Sequence, residues 1–369
     1  MKIDDVRISV FRRPADDSAP ETFIKGQSMQ SLHTELVALR ITDDEGHTGE
    51  TLSLGGGLGM GHYLAATVKP FLIGRDPLER EALWQEMWDA NRLWFSPLFM
   101  LGTADVALWD LYGKIRNAPI HEILGTYRTR IPTYASSMTH STVEEFVEEA
   151  LEFQGRGYHG YKLHVLGDPE FDIKCCTAVR EAVGETWALM VDVVSGYDQR
   201  DALRVGEVLD DLGYYWYEEP LRDYDLHGYR MLADKLKTPI AGTETNEGGL
   251  LARAEFAASR AVDIVRADPS FTYGIGQTRK IGALAEAFGL NCEIHTNPNP
   301  MMDAAALHVA LSLRNTDFFE QLVPTRTFDF AVDQPVRIDA EGYAVAPEGP
   351  GLGVNIDWDY VDRYTIAEL

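Results

Sequence analysis

Tyr215-Trp216-Tyr217-Glu218-Glu219-Pro220 is a short apolar run that ends in two acids and a proline, and Pro239-Ile240-Ala241-Gly242-Thr243-Glu244 repeats the form 26 residues later. A third copy, Met190-Val191-Asp192, stands 26 residues upstream of Glu218. Amphipathic stretches with a helical period lie between them. Outward from this centre, β-rich runs recur at 131–135, 160–165, 188–193, 215–217, 239–241, 263–266, 291–294 and 318–319, with starts 24 to 29 residues apart. Eight such strand–helix units predict an α/β chain folded as a (β/α)-barrel. A doubly wound sheet would need a glycine-rich phosphate turn between an early strand and a helix. Gly55-Gly56-Gly57 has the wrong spacing and precedes no clear helix.

The flanks read differently. Residues 6–11 and 34–42 alternate as strands, and Asp43-Asp44-Glu45-Gly46 is a turn signal, so a small antiparallel meander is expected. The polar stretch 12–32 reads as a mobile loop, and 53–61, with five glycines in nine residues, as a second loop. Residues 76–115 follow a helical pattern. The tail from Pro324 returns to turns and short strands, as if closing on the first domain. The expected division is 1–126, 127–323 and 324–369.

The chain has 369 residues, is 45% hydrophobic and 25% charged, and carries a formal charge of −25. So acidic a surface repels nucleic acid and anionic membranes, and an anionic substrate must be drawn in by a local positive centre. Cys175, Cys176 and Cys292 form neither a disulfide framework nor a zinc spacing, which suits a reducing cytosol. The start, Met1-Lys2-Ile3-Asp4-Asp5, lacks the apolar core of a signal peptide, so a cytoplasmic location is expected.

Barrel chemistry sits where strands end. Asp192, Glu218 and Glu244 end three neighbouring strands, and three carboxylates in one mouth repel unless a cation sits among them. Hard oxygen ligands suit Mg²⁺, with Mn²⁺ as the alternative. The competing reading is that these acids cap the following helices. On strand two, Lys162 and His164 share one face, which in a barrel is the interior. Asp268 and His295 end strands six and seven and can form a hydrogen-bonded dyad. Glu320 ends strand eight, facing the mouth, to bond a substrate oxygen or to bridge a Lys or Arg. A cation beside a substrate carboxylate, with a lysine near it, stabilises the charge left by removal of the α-proton.

Lys162-x-His164, Asp192, Glu218-Glu219-Pro220, Glu244, Asp268 and His295, with Ala107-Leu108-Trp109-Asp110 and Pro350-Gly351-Leu352-Gly353, resemble the mandelate racemase subgroup of the enolase superfamily. The resemblance spans nearly the whole chain. It implies a (β/α)7β barrel under an α+β capping domain built from both termini, with the loops 12–32 and 53–61 closing over the substrate. It also implies Asp192, Glu218 and Glu244 as Mg²⁺ ligands, Lys162, His164, Asp268, His295 and Glu320 as catalytic residues, and a homo-oligomer. His164 departs from the subgroup's Lys-x-Lys motif. A histidine is shorter and less basic, so a two-base racemisation is less assured than dehydration of an acid sugar to a 2-keto-3-deoxy acid. The substrate expected is a small carboxylate. The alternatives are a racemase or epimerase of a 2-hydroxy acid, or a non-catalytic homologue that binds one.

Overall fold

The computed structural model describes residues 1–14, 23–24, 27–28 and 34–369. β1 (Ile3–Arg12) is followed by a short antiparallel pair, β2 (Phe23–Ile24) and β3 (Gln27–Ser28), and then by β4 (Glu35–Asp43) and β5 (Thr48–Leu52). The β4–β5 turn forms as its sequence suggests. The Asp43 carboxylate accepts from the backbone N–H groups of Glu45 and His47, and Gly46 takes φ 90°. Most of the expected loop 12–32 lies outside the described residues.

The eight β-rich runs form β6 (Arg130–Ser136), β7 (Gly160–His164), β8 (Ala188–Asp192), β9 (Trp216–Glu218), β10 (Ile240–Gly242), β11 (Ile264–Ala267), β12 (Asn291–Ile294) and β13 (Phe319–Leu322). They pair in parallel in the order β12-β11-β10-β9-β8-β7-β6-β13, so the first strand joins the eighth and the sheet curls into a barrel. At the remaining seam, between β12 and β13, side chains replace ladder bonds: the Glu293 carboxylate accepts from the N–H groups of Asp317 and Phe318. Each of the first seven strands, β6 to β12, leads into a helix on the outside, and polar residues cap several of them. Asp198 and Asp225 cap the helices after β8 and β9. Asp192 and Glu218 therefore do not serve as their caps.

The tail returns to both parts. β14 (Tyr343–Val345) pairs antiparallel with the start of β6. β15 (Thr365–Glu368) pairs with β1, making a four-stranded sheet of order β15-β1-β4-β5. The helix Phe99–Arg116 lies between this sheet and the barrel and is buried on nearly every side from Met100 to Leu111. That explains its largely apolar midsection, in which only Thr103, Asp105 and Asp110 are polar. A Cβ at Gly102 would lie 2.5 Å from the Pro269 carbonyl oxygen, so the helix meets the barrel loop backbone to backbone.

One expectation fails in the cap. The glycines at 55–57 do precede a helix, Gly57–Tyr63, so the expected loop 53–61 is helical over its second half. Glycine is a poor helix former, but here packing overrides propensity. A Cβ at Gly61 would stand 2.6 Å from Val10 Cγ2, so the bare glycine face lets the helix lie against β1.

Candidate active site

The strand register sets the site's layers. His164, Asp192 and Glu218 are level across β7, β8 and β9. Two residues earlier on the strands, Met190 and Trp216 join Tyr134, Ala241 and Ile264 in an apolar plug within the barrel. Above that plug, carboxylate oxygens of Asp192, Glu218 and Glu244 come within 4.8 Å of one another, all three residues buried. The backbone just past these strand ends is strained: Val194, Ser195, Glu219 and Thr243 take φ of 49°, 58°, 41° and 80°.

Beneath the triad runs a chain of ions closed from solvent. Lys162 Nζ lies 3.1 Å from Glu218, 2.8 Å from Glu320 and 3.6 Å from Asp192. Arg266 pairs with Glu218 and with Glu320, each at 2.6 Å, and reaches Glu244 at 3.5 Å. Burial opposes ionisation of both Glu320 and Lys162, yet their opposite charges win: the carboxyl is held well below its usual range and the ammonium well above. Arg266 escaped the sequence reading. It lies two residues before Asp268 on the same strand face, so the alternation that aligned Lys162 with His164 could have found it.

Glu320 does not face the mouth as expected from the sequence. It is register-paired with Tyr134, which is level with Gly160, four residues below His164. It sits deep in the barrel, bridging Lys162 and Arg266 and accepting a hydrogen bond from Ser136 Oγ at 2.8 Å. Leu322 is the β13 residue that lines the cavity above.

That cavity has a volume of about 290 Å³. His164, Asp192, Glu219, Glu244 and His295 face it, while Lys162, Glu218, Asp268 and Glu320 lie beneath or behind its wall. His164 Nδ1 donates to the Ser137 carbonyl oxygen at 2.6 Å, and its Nε2 stands 3.1 Å from Asp192. His295 Nδ1 donates to Asp268 Oδ2 at 2.9 Å, and its Nε2 stands 3.2 Å from Glu244. Burial lowers the pKa of His295, but Glu244 and the Asp268 bond outweigh it and push the imidazole up to about 9. Phe271 stacks on its ring.

Glu219 is a fourth acid, known to the sequence reading only as part of a Glu-Glu-Pro motif. Its Oε1 accepts from the Glu244 N–H at 2.9 Å. Burial, then the charges of Glu244 and Asp192, raise its carboxyl well above the usual range. Burial likewise takes Glu244 up to about 8, against the pull of His295 and Arg266. A carboxyl that resists ionisation among other acids, as Glu244 does, is what a divalent cation would relieve, and an all-oxygen donor set suits Mg²⁺.

Residues 145–360 match the family described as enolase C-terminal domain-like, and residues 14–125 match the mandelate racemase / muconate lactonizing enzyme N-terminal domain. The chain is 31% identical to arabinonate dehydratase of Saccharolobus solfataricus, covering 95% of each chain. It is 29% identical to D-galactarolactone cycloisomerase of Agrobacterium fabrum, over all of both chains. A crystal structure of D-glucarate dehydratase from Agrobacterium tumefaciens complexed with magnesium superposes with a TM-score of 0.89 at 33% identity, covering all of both chains. Among the described residues no helix is long and apolar enough to cross a membrane. The chain belongs to the enolase superfamily, in its mandelate racemase and muconate lactonizing enzyme group.

Proposed function

We propose that this chain is an acid-sugar dehydratase, a hydro-lyase that removes the proton α to a substrate carboxylate and expels the β-hydroxyl. The observation that carries the reading is two histidines facing one small cavity, from β7 and from β12, with the carboxylate triad between their strands. Relatives named as arabinonate and D-mannonate dehydratases support it.

Asp192, Glu218 and Glu244 would hold Mg²⁺, which supplies fixed positive charge against the substrate carboxylate and the charge that builds on it. Lys162, buried against Glu218, adds a second positive charge beside that position. His164, with its Nδ1 hydrogen committed to Ser137, presents Nε2 as the base for the α-proton. The C–H electron pair becomes the C=C bond, and the β C–O bond breaks. His295, oriented by its Nδ1–H bond to Asp268, faces the cavity from the other side and protonates the departing hydroxyl as water. The resulting enol tautomerises to a 2-keto-3-deoxy acid.

The test is a library of mono- and dicarboxylic acid sugars with Mg²⁺, read as the semicarbazone of the keto acid. The expected result is one or a few acids turned over, with activity abolished by a chelator. A C2 epimer as sole product would replace dehydratase with epimerase. Binding without turnover or α-proton exchange would make the chain a non-catalytic homologue.

A further inference from the structure

Arg222 lies four residues past Glu218, on the loop that leaves β9, and lines the same cavity as the two histidines. Its backbone is held in place. The Arg222 carbonyl accepts from the Asp225 N–H, the Leu221 carbonyl accepts from the Tyr229 hydroxyl, and the neighbouring Asp223 carboxylate accepts from Thr245 Oγ1. The guanidinium itself is exposed and makes no hydrogen bond or ion pair with any described residue. The result is a fixed base carrying a free, planar, permanently charged fork.

Charge makes this placement informative. The described cavity wall holds Asp192, Glu219, Asp223 and Glu244, and Arg222 is its one permanent cation. In a chain of net charge −25, the four acids along that wall would repel a second carboxylate on the substrate, and Arg222 is the fixed charge that can offset them. A guanidinium pairs with a carboxylate through two parallel N–H···O bonds, which gives direction as well as attraction. Four residues span at most about 14 Å, so Arg222 and the triad lie within reach of the two ends of a short chain.

We propose that Arg222 binds the distal carboxylate of a dicarboxylic acid sugar, so that the preferred substrate is a diacid and not the corresponding monoacid. The proposal rests on the dehydratase reading above and adds the substrate class.

The full chain with Mg²⁺ is assayed on galactarate and glucarate against galactonate and gluconate. The wild type should favour a diacid in kcat/KM. Arg222→Gln should lower the diacid-to-monoacid ratio by about 100-fold, or ~2.7 kcal/mol, chiefly through KM. Arg222→Lys should recover part of that loss, since an ammonium attracts but does not fork. A wild-type preference for the monoacid, or a ratio that Arg222→Gln moves by less than about threefold, overturns the proposal. If no acid gives a keto acid, the dehydratase reading fails separately. The same ratio is then read from α-proton exchange in D₂O, or from calorimetric binding of the four acids. An Arg222→Gln ratio equal to wild type in that readout overturns the Arg222 assignment.

Discussion

Asp268→Asn separates the two histidines. Asp268 does two jobs with two oxygens. Oδ1 accepts from the N–H groups of Ser270 and Phe271 at 2.5 and 2.7 Å, which shapes the turn after β11. Oδ2 accepts from His295 Nδ1. An asparagine keeps an oxygen for the turn but sets an N–H donor against Nδ1, so the imidazole must leave that nitrogen bare and give up its second proton. The charge that helped raise the His295 pKa is lost as well, and the change lowers it. His295 then becomes a weak acid held in place. Loss of an orienting carboxylate costs on the order of 10²- to 10⁴-fold in turnover. The turn survives, so the melting temperature should move by only a few degrees. Asp268→Ala, which removes both oxygens, should lose stability too, by about 1–3 kcal/mol. The assay runs keto-acid formation and α-proton exchange in D₂O side by side. Dehydration should fall by the stated factor while exchange, which the proposed mechanism assigns to His164, persists. Equal loss of both would make His295 the base, and near-normal dehydration would refute any catalytic part for the dyad.

Two other outcomes follow from buried charge. Arg266→Met strands Glu218 and Glu320, both closed from solvent, and should destabilise the metal-free protein by about 3–5 kcal/mol in urea unfolding; a loss below about 1 kcal/mol would show that Lys162 alone balances the interior acids. Glu293, at the β12–β13 seam, is raised to about 8 by burial and then by Asp317, so the folded state holds its proton more tightly than the unfolded chain does. Its contribution is full below about pH 4.5 and lost as pH rises through 8, with a slope of at most about 1.4 kcal/mol per unit, and Glu293→Gln should flatten that fall.

Much of this protein was legible from local rules. A strand's period of two and a strand–helix repeat of about 26 residues need no neighbours to be read. They placed eight strands within a few residues of where they lie and brought Asp192, Glu218 and Glu244 to one mouth. The same alternation put Lys162 and His164 on the inner face and paired Asp268 with His295. Depth within the barrel is another matter, because it depends on the stagger between strands. Only the register of β13 on β6 lowers Glu320 into the interior, and only that register puts Leu322 at the cavity wall in its place. The ion chain through Arg266 has the same origin: four side chains from four strands meet there, and no window of sequence contains more than one of them. The helix at Gly57–Tyr63 was decided by close approach to β1, which overrode glycine's own preference for a loop. Sequence alone therefore picked out most of the polar residues that meet at the cavity, because alternation and spacing are local. Tertiary structure decided which of them face the cavity and which brace it from beneath, because strand stagger and close packing are properties of the assembled barrel.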